Sequence, residues 1–258
     1  YKQGNIQFLV NGEKYGLAAD FAKQHGPCAC AMGFKSKDAY KAYAHALSKK
    51  AKPCKHKMLE FQLPALYGVG NSILFLVDDN GKNKLYHDHF ELKTVEDEAN
   101  HSVGLTYIDH LTHNVRRGHM DQWAEFYERV FNFREIRHFN IKGQLTGLVS
   151  RAMTSPCGKL RIPINEGTDD QSQIEEFLTE YHGEGIQHIA LGTDNIYHTV
   201  EALKNKGVRF MDVPDTYYEM IDQRLPGHHE ALNELRKNRI LIDGHVDDNG
   251  HLVLLLQI

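Results

Sequence analysis

The segment from Gly104 to Asn165 changes its hydrophobic period twice, and this change of period narrows the fold more than any other feature. The run GLTYIDHLTHNV is rich in β-formers and reads as a strand. Gly118 follows, and then Trp123, Phe126, Tyr127, Val130 and Phe131 fall at i, i+3, i+4, i+7 and i+8, the spacing of a helix with one buried stripe. Three strand-like runs come next: FREIRHFNI, LTGLVSRAM and KLRIPIN. The order is β-α-β-β-β.

The unit then restarts. GIQHIALGT reads as a strand, and Asp194 or Asn195 can cap a helix in which Ile196, Val200 and Leu203 share a face before Gly207 ends it. VRFMDVP is expected as the next strand and Leu225 to Asn238 as an inserted helical segment. ILIDGH and HLVLLLQI are expected as two more strands, joined by the turn signal Asp248-Asn249-Gly250. A fainter copy lies in the first half. CACAMGFKSKDAYKAYAHALSKKA can be laid on GIQHIALGTDNIYHTVEALKNKG so that Ala46 meets Ala202, an offset of 202 − 46 = 156. Asp38 then meets Asp194, and Met32 meets His188. A polar, acidic linker fits Glu96 to Ser102, after a strand around Leu74 to Val77. The expectation is an α+β chain of paired modules, a partial one over 1–95 and a second over 103–258.

Hydrophobic residues at 41%, charged residues at 25% and a net charge of -4 exclude a basic nucleic-acid face and a polybasic membrane patch. No apolar stretch approaches the roughly 20 residues of a membrane helix. Four cysteines are too few for a disulfide scaffold, so a reducing, cytoplasmic setting is expected. Cys28, Cys30, Cys54 and His56 have the residue types of a structural zinc site. However, one residue separates Cys28 from Cys30 where such sites use two to four, and both cysteines sit in an apolar run expected as strand. The chain opens on Tyr1 and stops inside the apolar run Leu252 to Ile258, so a longer natural chain is expected.

His110 and His188 each lie mid-strand at the start of a β-α-β-β-β unit, 188 − 110 = 78 residues apart. Pairing the first strands of two such units turns both imidazoles toward one centre. Two neutral imidazoles and a carboxylate make the facial triad of non-haem Fe(II) oxygenases. His113 competes with His110, but strand alternation puts the two on opposite faces, and Ile108, His110 and Thr112 share one of them.

Several segments occur in an order that resembles the 4-hydroxyphenylpyruvate dioxygenase family: FLVNGE, HGPCACAMGFKSKDA, YIDHLTHNV, FYERVFNFRE, PINEG, SQIEEFL, GIQHIAL and VPDTYYEM. The resemblance runs over nearly the whole chain. It implies the vicinal-oxygen-chelate fold, with the active site in the second module. It also implies Fe(II) held by His110 and His188, with a third ligand, a glutamate, one strand beyond the counterpart of LLLQI. Neither Glu166 nor Asp243 fits that role. By the same resemblance Ser150, Asn165, Gln173, Gln187 and Gln257 surround the substrate, although strict alternation turns Gln187 away from the metal beside His188. The implied partners are 4-hydroxyphenylpyruvate and O2, the implied products are homogentisate and CO2, and the implied assembly is a homo-oligomer, dimer or tetramer. Two rivals share the fold: 4-hydroxymandelate synthase, against which Pro163 and Asn165 argue, and a metal-free binding protein, against which the two histidines argue.

Overall fold

The computed structural model describes residues 1–55, 63–78, 90–91, 102–142, 147–247 and 249–258; the linker expected at Glu96 to Ser102 and the zinc candidate His56 lie outside them, apart from Ser102. In chain order the strands are β1 (Lys2–Gln3), β2 (Ile6–Gln7), β3 (Ala31–Lys35), β4 (Ala65–Tyr67), β5 (Ile73–Val77), β6 (Leu105–Val115), β7 (Arg134–Lys142), β8 (Gly147–Thr154), β9 (Arg161–Gly167), β10 (Gly185–Thr193), β11 (Leu241–Val246) and β12 (Leu252–Gln257). The helices are α1 (Leu17–His25), α2 (Ala39–Ser48), α3 (Met120–Phe131), α4 (Gln173–Glu180), α5 (Ile196–Asn205), α6 (Asp215–Glu219), α7 (Ile221–Arg224) and α8 (Leu232–Asn238).

The central sheet has the order β10-β6-β9-β8-β7. β6 runs parallel to β9, while β8 is antiparallel to β9 and β7 to β8. The helix α3 connects β6 to β7 and covers one face of the sheet. Its expected stripe is the buried one: Ala124, Tyr127 and Val130 are almost inaccessible and pack with Met153, Ile162 and Ile164 from the sheet. Burying each large apolar side chain in this way contributes about 1.5–3 kcal/mol. The helix stops at Asn132, whose left-handed φ of 55° ends the ladder. The first-half sheet β3-β5-β4 repeats the scheme, with β3 parallel to β5 and α2 capped by Asp38, whose side chain accepts from the Lys41 amide.

Contacts gather the chain into two compact units. The larger holds residues 8–94 and 108–190 and contains the core around Met32, Phe34, Leu74, Tyr127 and Ile164. The other holds residues 2–7, 95–107 and 191–258. Its core joins Val200, Tyr218, Ile221, Leu235, Ile240 and Ile242, with Leu254 and Leu256 of the β11–β12 hairpin packed against it.

Three local expectations fail. VRFMDVP forms no strand; Met211 is 89% exposed, and the chain passes directly into α6 and α7 instead of meeting a ladder partner. Helix therefore begins at Asp215, ahead of the expected insert, and within Leu225–Asn238 only α8 is helical. Cys28 and Cys30 precede β3 instead of lying in it. The cap of α5 is Asn195 and not Asp194: its side chain accepts from the His198 amide.

Candidate metal centre

β6 displays its two faces in turn. His113 points into the core, fully buried, with Nε2 2.7 Å from the Tyr127 hydroxyl. Burial pulls its pKa down to about 4, so this imidazole is neutral at physiological pH. His110 points to the other face and meets His188 from β10, Nε2 to Nε2, at 3.2 Å. The rings cross at 74°.

The remaining nitrogens fix the tautomers. His110 Nδ1–H donates to Asp109 Oδ2 at 2.8 Å, and His188 Nδ1–H donates to Gln187 Oε1 at 2.5 Å. With protons on both Nδ1 atoms, both Nε2 atoms are left as acceptors on the same side of the sheet. Thr112, on the same face as His110, donates its hydroxyl to His188 Nε2 at 3.0 Å. Burial, and then the neighbouring His110, hold the His188 pKa below the usual imidazole range, which keeps the ring in its ligating form. Two ligand bonds of about 2.1 Å meeting near a right angle separate their donors by about 3 Å, so the spacing fits adjacent ligands of one metal ion. Among the described residues, no group of three or more His, Cys, Asp or Glu side chains gathers as a metal cage.

The face that carries His110 continues into polar residues. Ladder register places Asn114 beside Asn165, Asn165 beside Ser150, and Ser150 beside Phe139. Residues opposite one another in a sheet share a face, so this row lies on the side of His110 and Thr112. Asn165 Nδ2 donates weakly to Asn114 Oδ1 at 3.4 Å. Asn114 and Ser150 are buried, and Asn165 is half-buried.

The other expected substrate residues are placed as follows. Gln173 is the exposed first residue of α4, capped by Ser172, and no hydrogen bond joins it to the histidines among the described residues. Gln257 is exposed at the end of β12, opposite Leu241, in the second compact unit. Gln187 is engaged by the ring of its own neighbour. β10 does not alternate strictly here, since Ile186 and Ile189, three apart, both pack on the core. That irregularity lets the Gln187 amide reach round to His188.

The carboxylates have structural roles. Glu166 Oε2 accepts from the amides of Gly118 and Met120, at the positive end of α3. Asp243 accepts from its neighbour's amide. Glu184, just before β10, accepts from the Arg116 amide and His119 Nδ1 through one oxygen and from Trp123 Nε1 through the other. It ties the strand of His188 to the loop that follows the strand of His110. Gly70 lies against the same point: a Cβ there would stand 1.9 Å from the Glu184 carbonyl oxygen, and its φ is +60°. The sequence carries no signal for Glu184, Asp109 or Asn114, because each acts with a partner that only the fold brings near: Arg116, His119 and Trp123 for Glu184, Arg161 for Asp109 and Asn165 for Asn114.

This geometry can be set beside known proteins. Residues 1–91 match the model of the N-terminal part of hydroxyphenylpyruvate dioxygenase, and 107–220 match the glyoxalase/bleomycin resistance protein/dioxygenase superfamily. A 4-hydroxyphenylpyruvate dioxygenase of Pseudomonas aeruginosa is 55% identical over 260 residues, covering 100% of this chain and 72% of that one. The chain belongs to the 4-hydroxyphenylpyruvate dioxygenase family. Within the family, the enzyme of Legionella pneumophila is 54% identical over 98% of this chain and 72% of its own. The protein named Hemolysin VllY of Vibrio vulnificus is 54% identical over 100% of this chain and 72% of its own. Among solved structures, a fusion of a xylose isomerase-like TIM barrel with 4-hydroxyphenylpyruvate dioxygenase matches with a TM-score of 0.77 at 30% identity, over 96% of this chain and 39% of that one. The vicinal-oxygen-chelate fold expected from the sequence is the fold of this family's superfamily.

Proposed function

We propose that the protein is an Fe(II)-dependent dioxygenase that converts 4-hydroxyphenylpyruvate and O2 to homogentisate and CO2, in tyrosine and phenylalanine catabolism. The observation that carries this reading is the convergence of two tautomer-fixed imidazoles, His110 and His188, at the head of a row of buried amide and hydroxyl groups. Kinship with curated 4-hydroxyphenylpyruvate dioxygenases supports the choice of substrate.

In this reading His110 and His188 supply two ligands, and the family's glutamate, beyond the counterpart of Leu254–Ile258, supplies the third. The bound Fe(II) supplies the electron chemistry with O2 and a site for the 2-oxo acid end of the substrate. The chain's own residues bind and orient. Asn165 and Ser150 hydrogen-bond the polar parts of the substrate on the sheet face, with Gln173 and Gln257 assigned as further contacts by the family resemblance. Gln187 acts through His188 by holding its Nδ1 proton. The core-side packing behind β6, from His113 to Tyr127, keeps the strand from turning over. The residues 1–95 form a non-catalytic module and 103–258 the catalytic one, and the protein works as a cytoplasmic homo-oligomer. Among the described residues, no helix is long and apolar enough to cross a membrane.

The test is O2 uptake by the full-length, Fe(II)-loaded protein with 4-hydroxyphenylpyruvate, with the product identified by chromatography. Stoichiometric homogentisate is expected. A product hydroxylated on the side chain, 4-hydroxymandelate, would move the protein to the sister activity, and no O2 consumption with a loaded metal site would refute the reading.

A further inference from the structure

The two imidazoles are not held alike. The Gln187 oxygen that receives the His188 proton is a neutral amide on a single exposed side chain. The Asp109 oxygen that receives the His110 proton belongs to a carboxylate whose second oxygen is already taken. Asp109 Oδ1 accepts from Arg161 Nη1 at 2.5 Å, while Oδ2 accepts from His110 Nδ1 at 2.8 Å. Arg161 opens β9, and β9 is the parallel neighbour of β6. The clamp therefore crosses two strands whose register is fixed by the ladder, and it leaves the carboxylate little freedom to rotate. The His110 and Asp109 side chains are half-buried, and Arg161 closes the clamp from the exposed side.

We propose that Asp109 is a positioning residue for His110, and that Arg161 holds Asp109 in the orientation this requires. The carboxylate fixes the Nδ1–H tautomer, aims Nε2 at the site, and raises the donor strength of the ring. A carboxylate does this more strongly than an amide, because its hydrogen bond to the ring gains charge as the ring is polarised. Arg161 also keeps Asp109 from competing as a ligand, by occupying the oxygen that His110 leaves free. The proposal rests on the reading of His110 as a metal ligand.

Co(II) is the probe, because its ligand-field spectrum reports coordination without catalysis. Affinity is measured in the full-length protein by competition with a chelator, alongside the visible spectrum and the thermal midpoint of the metal-free protein. Asp109→Ala is expected to weaken Co(II) binding by about 10–100-fold and to alter the spectrum, with the metal-free midpoint nearly unchanged. Asp109→Asn, which keeps an acceptor for Nδ1–H but not its charge, is expected to recover only part of the affinity. Arg161→Met, which leaves Asp109 unanchored, is expected to fall between wild type and Asp109→Ala, and it tests the clamp if Asp109→Ala fails to fold. Gln187→Ala is expected to lose less than Asp109→Ala. Wild-type affinity and spectrum in Asp109→Ala would overturn the proposal, as would equal losses in the Ala and Asn variants. His110→Ala serves as the arm that separates the two levels: undiminished Co(II) binding there would mean that His110 is not a ligand and that the underlying reading is at fault.

Discussion

The two faces of β6 put histidines three residues apart to opposite uses. On the core face, His113 is fully buried, neutral and bonded to Tyr127. On the other face, His110 is half-buried, keeps a lone pair free at Nε2 and meets His188. The residue type is the same, so the difference comes from what surrounds each ring. The core face offers one hydroxyl and apolar packing, a place for a ring that is neutral at physiological pH. The site face offers a proton acceptor behind each imidazole and the hydroxyl of Thr112 beside them. Holding the second nitrogen of a histidine by an acceptor leaves the first as a lone-pair donor, the arrangement a metal ligand needs.

The largest expected effect comes from breaking the site face. His110→Ala should lower the rate of O2 uptake with 4-hydroxyphenylpyruvate roughly a thousandfold or more, since a metal centre supplies several kcal/mol of transition-state stabilisation. A variant that keeps even a tenth of the rate would remove His110 from the centre. The core face is sharpened by pH. The unfolded chain protonates His113 near pH 6.5, while the folded chain resists until about pH 4. The stability contributed by a neutral His113 is thus complete above pH 6.5 and is lost as pH falls toward 4, by roughly 3 kcal/mol over the interval. His113→Gln removes this titration, so its urea midpoint should fall less steeply between pH 6.5 and pH 4 than that of the wild type. Parallel curves would mean that His113 is not held neutral by the fold.

A smaller effect belongs to the polar row. Asn165→Ala should cost about 10–100-fold in kcat/KM, the loss of one or two hydrogen bonds to a bound substrate, with iron content near normal. Iron lost together with activity would place Asn165 in the metal shell instead.

Much of this division was legible in the sequence. The helical stripe from Trp123 to Phe131 and the strand around His110 follow from periodicity, and alternation alone separated His110 from His113. What was not legible depends on register. The pairing of Asn114 with Asn165 and the clamp from Arg161 to Asp109 need the alignment of β6 with β9, which no local pattern supplies. The orientation of Gln187 escaped because β10 departs from strict alternation. VRFMDVP has the composition of a strand but finds no neighbouring edge.

The comparison of halves shifts for a similar reason. The helices α2 and α5 are both ten residues long and are capped by Asp38 and Asn195, so the offset counted from the caps is 195 − 38 = 157, one more than the sequence alignment gave. His188 then falls opposite Ala31, and Met32 falls opposite Ile189, both of which face the core. The first half keeps the strand, the cap and the helix, and at the position matching His188 it carries the methyl group of Ala31.

The most direct test is the Fe(II) content of the full-length protein and two variants, purified anaerobically and measured per chain by a colorimetric iron assay. The account predicts near-stoichiometric iron in the wild type and in folded His113→Ala, and little in His188→Ala, which keeps one imidazole and one carboxylate. Iron retained by His188→Ala and lost by folded His113→Ala would contradict it, because the face of β6 assigned to the core would then be the one that holds the metal.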